Sequence, residues 1–223
     1  MARKKTPTLA SDTPATQKHE IRAGQSLELL KELHILTRDG KLNQDSRRKL
    51  KQVYHLYQFI EPLLNEVLKL KGQVNLIDHG AGKSYLGFIL YDLFFKALTV
   101  PAHIYGIETR SELVNKSQEL AARLGFKNMS FLNLSVADST GSDLLPVNID
   151  IVTALHACNT ATDDAIDFAL QKKAKFIVLV PCCQAEVAAE LKKQRNRNLA
   201  NPALGEIWRH PIHAREFGSH ISN

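Results

Sequence analysis

Apolar positions along the chain fall into two regimes that meet at Gly72. Before it the spacing is helical. Leu27, Leu30, Leu33 and Leu36 form a stripe that predicts an amphipathic helix ending near "RDGK". Asn43, Asp45 and Ser46 then offer caps for a second helix, with Leu50, Val53, Tyr54 and Tyr57 on one face. Pro62 either kinks that helix or opens a third at its first turn, and the apolar pattern continues through Leu70. After Gly72 the rhythm becomes strand, glycine, helix, strand. Strands are predicted over 74–77, 103–107, 129–134, 149–155 and 175–180, and helices over 85–98, 111–125, 161–174 and 184–195. Continuous Val, Ile and Leu runs within the strands, alternating with helices, predict an α/β fold with a parallel sheet covered on both faces.

Composition narrows the class. The chain has 223 residues, of which 44% are hydrophobic and 23% charged, as in an ordinary soluble globular protein. No apolar run approaches the ~20 residues that span a bilayer, so no membrane partner is expected. The first twenty residues lack the apolar centre of a secretory signal, which points to the cytoplasm. Residues 1–23 are rich in Thr, Pro, Ala and Lys and read as a disordered basic tail. Residues 24–72 read as an N-terminal helical segment and 73–223 as the main domain. The net charge of +6 is concentrated in Arg3, Lys4 and Lys5, in "SRRKLKQ" (46–52) and in "KKQRNRN" (192–198). Such clusters suit a polyanion such as RNA, and they equally suit solvated helix faces. Three cysteines, two of them adjacent, read as free thiols rather than a disulfide framework.

The first strand runs into "DHGAGKSYLG" (78–87), which ends its glycine run in Gly82-Lys83-Ser84. A phosphate loop needs its first glycine five residues before that Gly-Lys, and Ile77 occupies the position. The run is too short to wrap a triphosphate. A dinucleotide turn wants a third glycine where Tyr85 stands, which weakens a nicotinamide reading. What remains is Leu76, Ile77, Asp78, His79, Gly80, Ala81, Gly82: apolar, apolar, acid, x, G, x, G. That is the turn of S-adenosylmethionine (SAM) methyltransferases, with the acid facing the methionine end of the cofactor. One strand later, "IYGIE" places Glu108 where a ribose diol wants a carboxylate. The bland readings are a helix cap for Asp78 and a solvated loop acid for Glu108.

Together, "DHGAGKSYLG", "LHACNTATDDAI" and "VPCCQ" resemble a class I SAM-dependent methyltransferase family. It includes bacterial enzymes and the methyltransferase domain of the animal glutathione S-transferase C-terminal domain-containing protein. The resemblance covers roughly residues 26–223. It implies a Rossmann-like sheet of order 3-2-1-4-5. By it, Asp78, Gly80, Ala81, Gly82, Lys83 and Tyr85 belong to the cofactor turn and Glu108 to the ribose. Val136 and Asp138, after the third strand, join the cofactor-binding set. Two positions depart from the family pattern: Ser84 replaces a usual glycine, and Asn159 stands where aspartate is frequent. Ser84 is small and is expected to cap the next helix.

Open parallel sheets place ligands beyond the carboxyl ends of their strands. Loops 155–164 and 181–184 therefore belong at the same rim as Gly80, and His156, Cys158, Asn159, Cys182 and Cys183 are the candidate catalytic residues on the substrate side. Asp163 is expected to cap the helix after strand four. The cysteines admit three readings: small apolar pocket lining, a nucleophile as in cytosine-C5 RNA methyltransferases, or metal ligands together with His156. Vicinal cysteines are awkward for one tetrahedral ion, so no metal is assigned. The Asn/Asp-Pro-Pro-aromatic run of many amino-methylating enzymes is absent after strand four. His210, His213 and His220 fit no metal spacing and read as part of a polar surface loop, in which Arg215 and these histidines could meet an anionic substrate.

A full class I sheet has two more strands after the fifth helix, and none is legible in the 28 residues after Arg195. The closing strands are expected to be missing, with the domain cut short or its edge completed by another chain. The expected activity is SAM-dependent methyl transfer, with RNA as candidate acceptor. A non-catalytic SAM-binding or protein-interaction module and a small-molecule methyltransferase are the alternatives.

Overall fold

The computed structural model describes residues 20–155 and 160–180. The expected helix at 184–195 and the question of closing strands lie outside them. Strands β1 (Val74–His79), β2 (Ala102–Glu108), β3 (Met129–Asn133), β4 (Ile151–Leu155) and β5 (Phe176–Val180) form one sheet in the order β3-β2-β1-β4-β5. Every pairing is parallel, with β1 between β2 and β4. The chain thus adds strands in one direction as far as β3 and then returns to the other side of β1. The C-terminal end of β1 lies at this switch point, where an open parallel sheet leaves a crevice.

Side chains alternate between the two covered faces of β1. Leu76 joins a large apolar cluster with helices α1 (Leu27–Glu32), α2 (Gln44–Lys71), α3 (Tyr85–Leu93) and α4 (Ser111–Arg123). Ile77 joins a smaller cluster on the other face with Val152 and, from α6 (Thr160–Gln171), Phe168 and Ala169. A short α5 (Val136–Thr140), not legible in the sequence, follows β3.

The N-terminal helices share the core of the sheet domain. Leu29, Leu30, Ile60, Leu64 and Val67 are fully buried in the same cluster as Leu76 and Phe88. Docking begins earlier than the expected tail boundary at residue 23. Ile21 packs on the core, Glu20 pairs with Arg47 at 2.9 Å, and the Arg22 guanidinium lies 4.5 Å from the Tyr57 ring centroid. Cation–π contacts and one ion pair are enough to hold a polar stretch down.

Three helix expectations are corrected. Pro62 does not open a third helix: α2 runs unbroken for 28 residues with the proline inside it. Pro62 and Gln58, whose carbonyl the proline leaves without a donor, both lie on the exposed face of the helix. The proline costs ~3 kcal/mol, whereas each of the neighbouring Ile60, Leu64 and Val67 contributes ~1.5–3 kcal/mol on burial, so packing wins. The stripe from Leu27 to Leu36 is helical only to Glu32. His34 takes a left-handed φ of 54°, and the N–H groups of Ile35 and Leu36 both return to the Leu30 carbonyl, so the later apolar residues are buried from a turn. The expected helix 85–98 is likewise α-helical only to Leu93, followed by a 3-10 turn at Phe95–Ala97.

Gly106 in the middle of β2 permits the closest packing near the crevice. A Cβ there would stand 2.6 Å from Cδ1 of Phe131, itself buried, and 3.5 Å from Cβ of Ala81 in the turn after β1. Gly106→Ala is therefore expected to cost about 1–3 kcal/mol of stability by overpacking, read as a lowered urea midpoint with unchanged slope.

Candidate functional site

The crevice is built on the turn between β1 and α3. Gly80 and Gly82 have φ of 62° and 57°, and Ser84 follows at 48°. Glycine adopts this left-handed region freely, while a residue with a Cβ pays roughly 1–2 kcal/mol. Such a backbone favours glycine at position 84, as the resemblance implies. Ser84 is the N-cap of α3 by position, but its hydroxyl makes no capping bond, contrary to expectation. Its Oγ instead donates to Asp78 Oδ2 at 3.4 Å. Gly87 makes room for that rotamer, since a Cβ at 87 would lie 2.4 Å from Ser84 Oγ.

Asp78 is buried at the end of β1. Thr153, its register partner on β4, donates its hydroxyl to Asp78 Oδ1 at 2.9 Å. Burial pushes the carboxyl up to about 6, and the two hydroxyl donors only partly oppose this. No cation stands among the groups that shift it. His79 points to the other face, edge-on to Phe168 with ring centroids 4.8 Å apart. Burial lowers it to about 4, so it is neutral and structural.

Glu108 ends β2 and is turned toward the bend as expected, but it is not exposed for a diol. Gly82 donates its N–H to Oε2 at 2.8 Å, and Arg110 reaches Oε1 through Nε at 3.0 Å and Oε2 through Nη2 at 3.1 Å. Burial would raise this carboxyl, but the hydrogen bonds of Arg110 and Gly82 outweigh it and hold it near 2. Two neighbouring strand ends thus carry acids of opposite character.

Asp78, Gly80, Ala81, Gly82, Lys83 and Tyr85 line one cleft of about 450 Å3. Its outer wall comes from α2 through Lys49, Gln52, Val53 and Leu56, and Arg110 and Leu155 complete it. The wall was missed in the sequence. Lys49 carried a signal as part of a basic cluster, whereas Arg110, two residues beyond a strand-end acid, carried none. Asp138 does not line this cleft. It is exposed, and its carboxylate and N–H both bond to the Ser135 hydroxyl in a local helix cap. Val136 opens the same short helix. Asp163 is a first-turn residue of α6 rather than its N-cap, since the helix begins at Thr160. His156, Cys158, Asn159, Cys182 and Cys183 lie outside the described residues, as do His210, His213, Arg215 and His220. Leu155, at the cleft rim, is the last described residue before the first of those loops.

A parallel sheet of this order, with a glycine turn at its switch point and a carboxylate ending the next strand, defines a Rossmann-like nucleoside-cofactor domain. The chain belongs to the methyltransferase-domain family, whose model matches residues 48–190. It is 27% identical over 150 residues to the mouse glutathione S-transferase C-terminal domain-containing protein, covering 67% of this chain and 21% of that protein. The human protein of that name is 25% identical over 150 residues, with the same coverage of 67% and 21%. The chain spans about a fifth of the length of these relatives. Among solved structures, it is similar to an rRNA methylase from Streptococcus thermophilus at 13% identity and a TM-score of 0.39, over 55% of this chain and 72% of that one.

The matching family is a methyltransferase domain, and SAM is the cofactor that the sequence resemblance implies for it. The described residues fit that molecule. The cleft volume lies in the range of small-molecule sites. Among the described residues, a Cβ on Gly80 would meet no atom beyond its chain neighbours within 4 Å, which leaves space above the turn for a ligand. The buried Asp78 carboxylate, unmatched by a cation, suits the positive charge of the donor.

The pH dependence of Asp78 can be signed. Its folded pKa is raised from 3.8 to about 6, so the protonated form is favoured by folding. That contribution is fully present below 3.8 and is lost as pH rises through 6. A rise of that size corresponds to about 3 kcal/mol. Asp78→Asn is therefore expected to gain about 2–3 kcal/mol relative to wild type between pH 4 and pH 8, measured by urea unfolding of the ligand-free protein.

Proposed function

We propose that the protein transfers a methyl group from SAM to an RNA acceptor. The observation that carries the acceptor class is the basic wall of the cleft. Lys49 from α2, Lys83 from the turn and Arg110 from the end of β2 converge on one mouth. Neither lysine pairs with a carboxylate among the described residues. The exposed face of α2 continues outward with Arg48, Lys51, His55 and Phe59, the last two in an edge-on ring pair 4.9 Å apart. Cations interleaved with an exposed aromatic are the composition that tracks a single strand, phosphates on the cations and bases on the ring.

The bound donor supplies an electrophilic methyl on a sulfonium, which an acceptor displaces in line. The protein's own residues bind and orient. Glu108 is positioned for the ribose hydroxyls, and Asp78 for the positive charge of the methionine end. Gly80 and Gly82 keep the turn low beneath the nucleoside. Val53, Leu56, Leu86 and Leu155 give the cleft its apolar lining and keep water from the reacting atoms. Alignment of this kind lowers a barrier by several kcal/mol without requiring a base.

S-adenosylhomocysteine is expected to raise the melting temperature, since it binds the folded state alone. Gly80→Val should abolish the rise by placing a branched side chain in the open space above the turn. Stabilisation by NAD or ATP instead would overturn the cofactor. With radiolabelled donor, label is expected in total RNA rather than in protein extract or metabolite pools. Lys49→Glu should reduce RNA labelling by at least tenfold, at unchanged affinity for S-adenosylhomocysteine. Labelling of protein or metabolites would reassign the acceptor, and binding without turnover on any pool would favour a non-catalytic module.

A further inference from the structure

We propose that the Arg110 side chain is a stand-in for the cofactor's ribose, and that cofactor binding proceeds by exchanging its guanidinium for the sugar diol on Glu108. The inference rests on the SAM reading above and concerns the guanidinium that this reading places at the cleft mouth.

Counting donors carries the argument. A carboxylate has about four lone-pair sites. Glu108 Oε1 accepts from the Arg110 N–H at 3.0 Å, from Arg110 Nε at 3.0 Å and from Thr109 Oγ1 at 3.3 Å. Oε2 accepts from the Gly82 N–H at 2.8 Å and from Arg110 Nη2 at 3.1 Å. Both oxygens are full, so a diol cannot be added unless a donor leaves. The two backbone donors cannot leave. The Gly82 N–H is fixed by the turn, and the end of β2 is fixed by Asn133, whose amide donates to the Glu108 and Thr109 carbonyls at 3.0 and 2.8 Å. The guanidinium can. Its side chain is 59% exposed, against 7% for the Glu108 side chain that it covers.

The exchange is matched in kind. The guanidinium places two N–H groups on the two carboxylate oxygens, and a ribose places two O–H groups on the same pair. Arg110, not Glu108, lines the cleft, beside Gly82. A Cβ added to Gly82 would lie 3.7 Å from Arg110 Nη2 and 3.9 Å from Glu108 Oε2, so the fork sits directly against the glycine turn. A pair whose cation stays in solvent can open without burying an unpaired guanidinium, while its fork competes for the same two oxygens. The swing also leaves a cation at the mouth that Lys49 and Lys83 share.

Calorimetric titration of S-adenosylhomocysteine at pH 7.5 tests this in wild type, Arg110→Ala and Arg110→Lys. Removing the competitor is expected to tighten binding by about 3- to 10-fold in the alanine variant. The lysine variant, which keeps the charge and loses the fork, should fall between. The gain should vanish for an analogue lacking both ribose hydroxyls. Wild-type affinity should also rise between 50 and 500 mM salt as the ion pair is screened, with no rise in the alanine variant. The side chain is exposed, so its loss should leave the melting temperature of the ligand-free protein within about 2 °C. Equal or weaker binding by Arg110→Ala, with wild type binding well, would overturn the exchange alone. No binding by either protein would overturn the cofactor reading with it.

Discussion

The structure depends on a backbone constraint. Between the last residue of β1 and the first of α3 the chain must reverse its course within Gly80–Ser84, and it does so with left-handed residues at alternate positions 80, 82 and 84. Two consecutive peptide N–H groups of the bend turn toward the neighbouring strand, while that of Ser84 returns to the Ala81 carbonyl. Ala81 donates to the Ile107 carbonyl at 2.9 Å and Gly82 to the Glu108 carboxylate at 2.8 Å. The bend is thereby tied to β2 as well as to β1. Its floor stays low enough to leave a cleft, and Gly106 beneath it lets Ala81 and Phe131 approach. A side chain added at 106 or 87 would press on this bend from below, and one added at 80 would fill the space above it.

The two acids beside the bend show how burial and charge divide the work. Asp78 and Glu108 end adjacent paired strands, both beneath the surface. Glu108 has a cation and backbone donors and stays ionised far below neutral pH. Asp78 has only two hydroxyls, and its ionised form is costly while the cleft holds no opposing charge. A positively charged ligand relieves that cost, so its binding draws on energy already stored in the folded protein. Ser84 contributes here: the one residue with a Cβ at a left-handed position of the bend offsets its strain by donating to Asp78.

Much of this was legible in the sequence, for physical reasons that also explain the gaps. The parallel sheet announced itself because strands covered on both faces are rich in apolar residues, as "IVTAL" in the buried β4 is. The turn announced itself because few residue types tolerate its backbone. Periodicity reported burial more faithfully than helicity: Leu33, Ile35 and Leu36 are buried from a turn, and Pro62 sits inside a helix because its face is wet. The cleft's outer wall was not legible, because the side chains that build it come from α2, remote in sequence and joined to the turn only by packing. The partner of Glu108 was hidden for the opposite reason. An arginine two residues from an acid in a loop has no periodic signature, and only the fold decides whether it points at the carboxylate or at solvent.

The helix α2 joins the structural and chemical arguments. Its inner stripe, Leu50, Val53, Tyr57, Ile60, Leu64 and Val67, is buried in the core that also holds Leu76 and Phe88. One step round the same turns, Lys49, Gln52 and Leu56 face the cleft, with Val53 shared between core and site. The spacing is fixed by 3.6 residues per turn, so the cleft wall cannot slide without unpacking the stripe. The Lys71–Asp150 ion pair, with Asp150 also accepting the Asn75 N–H at 2.8 Å, anchors the far end of the helix to the start of β1 and the chain entering β4. A basic residue on an isolated surface helix would be free to wander. Here the core holds Lys49 over the bend, and the placement of charge at the cleft mouth follows from the packing of leucines on its other side.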